Sequence, residues 1–198
     1  MRICANPDIF PHYAMKQRTL HIMTLSRIPL SFAFLAILLI FARPGIYIPI
    51  GVALLLVAEL SDLFDGYFAR RMKLISEFGA MLDPYADSVS RLAIYSSLAF
   101  KGLAIFWVPL AMAIRDVTVS YCRIILVKHN RTVSARLSGK IKAEVQSVSA
   151  FIMLLSPLYP QCIGLWLYYA ISWIVIIVTA ISSVEYIRDA YRALVQKP

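Results

Sequence analysis

From Val145 to Val184 the chain runs forty residues without one charged side chain. A transmembrane helix needs about 20 mostly apolar residues, so this run is too long for one crossing. It breaks at Ser156-Pro157-Leu158-Tyr159-Pro160, because two prolines within four residues end one helix and turn the chain into the next. Shorter uncharged runs precede it at Ile28–Ala42, Pro44–Ala58, Leu92–Phe100 and Gly102–Ile114. Together they predict six helices, at roughly 20–42, 46–72, 77–100, 103–129, 138–157 and 162–193.

Composition agrees with a membrane chain. Apolar residues make up 60% and charged residues 16%, against about 45–50% and about 25% in soluble domains. The 198 residues suit one domain, 1–198, with 1–19 as a juxtamembrane segment. Asp8, His12, Lys16 and Arg18 precede any long apolar stretch, so no cleaved signal is expected and the first helix is retained. The mixed apolar and basic pattern of residues 7–18 suits a short interfacial helix ahead of the first crossing, with a loosely ordered tail as the other reading. Cys4, Cys122 and Cys162 are odd in number and lack metal-ligand spacing, so they read as packing or unpaired thiols.

Only the last helix has a clean apolar run of spanning length, Cys162–Ile181. In the others the apolar part covers little more than half a crossing before charge appears. Ionisable groups in hydrocarbon are costly and face a bundle interior or a wet cavity. The expected fold is therefore an all-α integral membrane protein, six transmembrane helices around a polar cavity at one face. With six crossings both termini share a side. That side carries fifteen of the 20 Lys+Arg, the opposite loops hold Arg43 and Lys101, and Arg91, Arg115 and Arg123 lie within helices. The positive-inside rule places the termini and the cavity on the cytoplasmic side. The basic excess then serves anionic lipid, and no nucleic-acid partner is implied.

Four aspartates stand where that cavity is expected. Asp62 and Asp65 are three apart near the inner end of the second helix, and Asp83 and Asp87 are four apart near the start of the third. Each pair shares a helix face, and Gly79 lies on the stripe of Asp83. The short segment "RRMKLIS" makes the two helices a hairpin with facing acids. Four such carboxylates cannot all stay ionised without cations. Oxygen-rich sites suit magnesium, manganese or calcium, and two ions about 4 Å apart are the usual clamp for displacement at phosphorus. Salt bridges to Arg70, Arg71 and Arg91 are the alternative use of these acids. Gly66 and Ala69 leave room for close approach, whether of a ligand or of a neighbouring helix.

Asp62-x-x-Asp65-Gly66-x-x-Ala69-Arg70, then eight residues, then Gly79-x-x-x-Asp83-x-x-x-Asp87, resembles the signature of the CDP-alcohol phosphatidyltransferases at every fixed position. Eight specified residues over 26 positions make a specific signal. The six-crossing plan is also similar to that family's. The resemblance implies a two-metal transferase, with Asp62, Asp65 and Asp83 holding Mg2+ or Mn2+ and Asp87 completing the second site. It implies Asp87 as general base for the acceptor hydroxyl. It also implies Gly66, Ala69, Arg70 and Gly79 lining the pocket for CDP-diacylglycerol, with Arg70 on the diphosphate. A homodimer is implied by the resemblance alone.

Members of that family differ in the acceptor. Arg115, Arg123, Lys140 and Lys142 place basic groups on the inner halves of the fourth and fifth helices, which suits a phosphorylated acceptor. Lys140 and Lys142 also suit a lipid-facing loop. Asp116 adjoins Arg115 but is expected to point elsewhere, leaving Glu59 or a substrate phosphate as partner for Arg115. "TLSRIPL", "FGAMLDPYADSVSRLA", "GKIKAE" and "SSVEYIRDAYR" are similar to segments of bacterial phosphatidylglycerophosphate synthases, which implies glycerol 3-phosphate as acceptor. Lys142-Ala143-Glu144 departs from their Lys-Thr pair, and "RDVTVSYCR" is similar to the inositol-phosphate members. Inositol phosphate, inositol, serine and phosphatidylglycerol stay open as acceptors. A cation-coupled transporter is the reading from another class, though it predicts acids near the bilayer midplane. His12, His21 and His129 are isolated and form no triad with a serine.

Overall fold

The computed structural model describes residues 11–72, 77–128 and 137–195, and the side chains of 24–64, 82–128 and 139–195. Among the described residues the chain is all-helical: α1 Pro11–Ile40, α2 Pro44–Met72, α3 Glu77–Phe100, α4 Trp107–Lys128, α5 Leu137–Leu155 and α6 Gln161–Val195. A 3₁₀ turn, Ser156–Leu158, separates α5 from α6 at the proline pair. Three helices contain segments long and apolar enough to cross a membrane: Pro44–Phe64, Gly139–Leu158 and Gln161–Val195. Thr24–Ile40 is a shorter apolar helix. The outward residues of α6, including Trp166, Trp173, Ile177, Ile181 and Val184, are exposed. Such a face is stable only against lipid or protein.

Two boundaries differ from the sequence expectation. Residues 11–18 are the opening turns of α1, continuous with the rest of that helix, so a separate interfacial helix over 7–18 is not formed there; residues 7–10 lie outside the described residues. The fourth helix begins at Trp107 rather than at 103. Gly102, at φ 75°, ends α3: its N–H donates to Ala99 O at 3.0 Å, and Leu103 N–H donates to Leu98 O at 2.8 Å. This paired closure with glycine in the left-handed region is a Schellman cap, and the chain needs the next residues to turn back.

The same corner fastens α1. Lys101 Nζ donates to Leu38 O at 2.8 Å and to Phe41 O at 2.7 Å, and lies 4.7 Å from the centroid of the Tyr47 ring. A cation on the last carbonyls of a helix satisfies orphan acceptors and complements the helix dipole. Lys101→Ala is expected to destabilise the protein by about 1–3 kcal/mol, since hydrogen bonds to a charged group are lost and carbonyls are left bare. Thermal unfolding in detergent or bicelles checks this; an unchanged midpoint means water replaces the ammonium without cost.

α1 packs against α2 and α3, α4 against α6, and α5 against α2, α3 and α6. Phe34 and Leu38 of α1, Leu55 of α2, Tyr95 and Leu98 of α3, Met112 of α4, Leu154 of α5 and Val175 of α6 form one core. Gly51 lets three helices meet: a Cβ there would sit 3.0 Å from Leu154 Cδ2 and 3.2 Å from Phe34 Cε2. Polar groups inside are paired across helices, Tyr95 OH to Gln146 O at 2.7 Å and Gln146 Nε2 to Thr179 Oγ1 at 3.0 Å. Buried Ser172, Thr179 and Ser182 line the inner stripe of α6. This core joins the helices on the side of the Lys101 corner, and the charged residues lie toward their other ends.

Candidate active site

α2 ends and α3 begins at the same end of the bundle, and each carries acids on successive turns. Asp62 lies nearly three turns before the end of α2, and Asp83 and Asp87 lie on the second and third turns of α3. Pro84 stands between the latter two and removes one N–H from the helix ladder. Asp65, Gly66, Ala69 and Arg70 are in α2 and Gly79 in α3, but their side chains lie outside the described residues. So do Arg71 and Lys73.

The third wall is α1. Arg27 Nη1 lies 2.6 Å from Asp62 Oδ1 and 3.9 Å from Asp87 Oδ1, so an acid from α2 and one from α3 face a single guanidinium nitrogen. One turn earlier, Thr24 Oγ1 donates to Asp83 Oδ1 at 3.1 Å. Arg27 belongs to "TLSRIPL" and is the last charged residue of α1, after Lys16 and Arg18 in its opening turns. Its partner could not be named from sequence, because Asp62 is 35 positions away. Asp87 also accepts from its own helix, Arg91 Nε to Oδ1 at 2.7 Å. Arg91 Nη1 continues to Ala143 O of α5 at 3.0 Å.

The preceding residue on α5, Lys142, opens a second cluster. Lys142 Nζ donates to Asp116 Oδ1 at 3.2 Å, and Arg115 Nη1 donates to the same oxygen at 2.8 Å. Asp116 therefore turns toward Arg115, contrary to the sequence expectation. Neighbours on a helix differ by about 100°, and the long arginine stem spans that angle. Arg115 Nε also donates to Ser182 Oγ of α6 at 3.1 Å. Side-chain exposures of 11% for Arg115, 16% for Asp116 and 6% for Lys142 put all three charges out of water. The guanidinium carbons of Arg115 and Arg123 stand 5.9 Å and 5.6 Å from the Tyr186 ring centroid, within cation–π range. Arg123 Nε is buried and has no hydrogen-bond partner among the described residues. Lys140 is exposed, two residues and some 200° from Lys142 on the same helix.

The site thus has two adjoining parts, acidic between α1, α2 and α3 and basic between α4, α5 and α6, joined through Arg91 and α5. Among the described residues no three acidic, histidine or cysteine side chains are gathered as one ion shell. The donor chemistry nonetheless suits a hard divalent cation. Asp62 and Asp87 already converge on one positive group, and Asp83 lies within reach of the same face of α1 through Thr24.

Residues 21–184 match the CDP-alcohol phosphatidyltransferase family, and all four aspartates fall inside that range. The chain is similar to enzymes named CDP-diacylglycerol–glycerol-3-phosphate 3-phosphatidyltransferase. That of Bacillus subtilis strain 168 is 30% identical over 144 residues, covering 73% of this chain and 75% of the relative. The Pectobacterium atrosepticum protein is 33% identical over 142 residues, covering 69% and 76%. The Escherichia coli K12 protein is 31% identical over 161 residues, covering 77% and 85%.

Proposed function

The chain belongs to the CDP-alcohol phosphatidyltransferase family, and on that premise we propose that it transfers the phosphatidyl group of CDP-diacylglycerol to glycerol 3-phosphate, giving phosphatidylglycerophosphate and CMP. The observation that carries the reading is the adjacency of its two parts. A carboxylate wall suited to metal and proton work is tied through Arg91 to α5, where a buried basic cluster suited to a phosphate begins. Family membership replaces the transporter alternative with an enzyme, a phosphatidyltransferase. The names of the relatives support glycerol 3-phosphate among the acceptors.

Asp62, Asp65, Asp83 and Asp87 would hold two divalent cations, Mg2+ or Mn2+. Such ions neutralise a diphosphate and make CMP a better leaving group. Asp87 accepts the proton of the attacking hydroxyl as its oxygen bonds to the phosphatidyl phosphorus and the bond from that phosphorus to the CMP oxygen breaks. Gly66, Ala69, Arg70 and Gly79 line the cytidine-diphosphate side. Arg115, Arg123 and Lys142 orient the acceptor phosphate by charge and fork geometry, with exposed Lys140 at the mouth. The diacyl chains stay in the bilayer.

Six crossings, with both termini and the cavity on the cytoplasmic side, complete the reading. It is supported by the six helices of the described residues and by the fifteen basic residues that six crossings would put on one side. Purified protein given CDP-diacylglycerol and Mg2+ is expected to release CMP with glycerol 3-phosphate, and much less with inositol phosphate, inositol, serine or phosphatidylglycerol. CMP release with one of those instead reassigns the acceptor. No release with any of them, from folded protein, sinks the reading.

A further inference from the structure

We propose that Arg27 is a built-in cation that occupies the space between Asp62 and Asp87 in the resting protein and competes there with the incoming divalent ion, so that it sets the metal affinity of the site. This rests on the metal-dependent reading above. Arg27 reaches the site from α1, a helix that carries no acid of the signature. Its Nη1 holds Asp62 Oδ1 at 2.6 Å, the separation of a charge-assisted bond, and faces Asp87 Oδ1 at 3.9 Å. The side chain is only 7% exposed, yet among the described residues its Nε has no partner.

A buried arginine that serves as a permanent strut usually has its five donors satisfied. Here the guanidinium bonds Asp62 and faces Asp87, and among the described residues its Nε is left bare. A divalent ion on Asp62 and Asp87 needs Asp62 Oδ1, which Arg27 now holds, and must sit beside Asp87 Oδ1, which Arg27 faces at 3.9 Å. It also places like charges within a few ångströms of each other, at low local dielectric. The two cations therefore exclude each other from the shared oxygens. Because guanidinium is weakly hydrated and sits on a long stem, it can swing away when the ion binds. Thr24 and Arg91 continue to hold Asp83 and Asp87 from either side.

The test is Mn2+ binding to purified protein without substrate, followed by electron paramagnetic resonance. Arg27→Gln removes the competing charge and is expected to bind Mn2+ about tenfold more tightly, a change of about 1.4 kcal/mol by the standard conversion. Arg27→Lys keeps the charge and is expected to stay within about threefold of the parent. Equal or weaker Mn2+ binding by Arg27→Gln overturns the proposal. Should Arg27→Gln not fold, the parent protein decides it. With arginine labelled by 15N at Nε, the Arg27 signal, assigned by its loss in Arg27→Lys, is expected to move with saturation as Mg2+ is added. A signal unmoved at saturating Mg2+ overturns the proposal. Both readouts are of metal on the resting protein, so a failed CMP assay leaves them standing, and their failure leaves the transferase reading intact.

Discussion

Asp87→Asn is expected to lower CMP release by about 10²–10⁴-fold, the usual contribution of a positioned general base, while CDP-diacylglycerol binding changes little. The carboxamide keeps an oxygen for Arg91 Nε, which lies 2.7 Å from Asp87 Oδ1, and Arg91 keeps its second anchor at Ala143 O. The α3–α5 connection therefore survives, and the fold with it. What is lost is the ability to take a proton at that point of the site. Single-turnover CMP release and equilibrium binding of CDP-diacylglycerol, measured on the same preparation, separate the two effects. Parallel loss of donor binding identifies Asp87 as chiefly a metal ligand. Unchanged turnover removes it from the proton transfer.

The plan of the molecule was largely legible because it depends on local rules. Uncharged runs locate helices, and Pro157 with Pro160 divides the longest of them, as the 3₁₀ turn at Ser156–Leu158 bears out. The start of α4 was misplaced since Gly102 reads as an ordinary small residue until its left-handed φ and the two closing hydrogen bonds are seen. The acids were legible as a spaced motif, but the residue that meets them was not. Arg27 faces Asp62 and Asp87 only because α1 packs along α3, a tertiary fact with no periodic trace. Lys140 and Lys142 looked equivalent in "SGKIKAE", and helix geometry turns one outward and the other onto Asp116. The angle between neighbours suggested that Asp116 avoids Arg115. Burial decides otherwise, since a carboxylate among buried cations is held by the charge around it more strongly than by its place on the helix.

That same argument fixes the second large effect. Asp116→Ala leaves Arg115 and Lys142 buried at 11% and 6% exposure without the oxygen they share, and removing one member of such a set costs about 3–5 kcal/mol. Lys142→Met alone is expected to cost less, as Arg115 still answers Asp116. The double change Asp116→Ala with Lys142→Met removes opposite charges together, and its cost should fall well below the sum of the single ones, because neighbours in one network are not additive. Unfolding by heat or denaturant in bicelles, across the four-member cycle, measures that coupling; simple additivity would show the contacts to be idle. Function then distinguishes a strut from a binding device. If Asp116 holds Arg115 and Lys142 as a cradle for the acceptor phosphate, the refolded double variant still binds CDP-diacylglycerol but no longer saturates with glycerol 3-phosphate. A double variant with normal acceptor saturation moves the phosphate to Arg123 and the face of α4 beyond it, where a buried guanidinium nitrogen has no hydrogen-bond partner among the described residues.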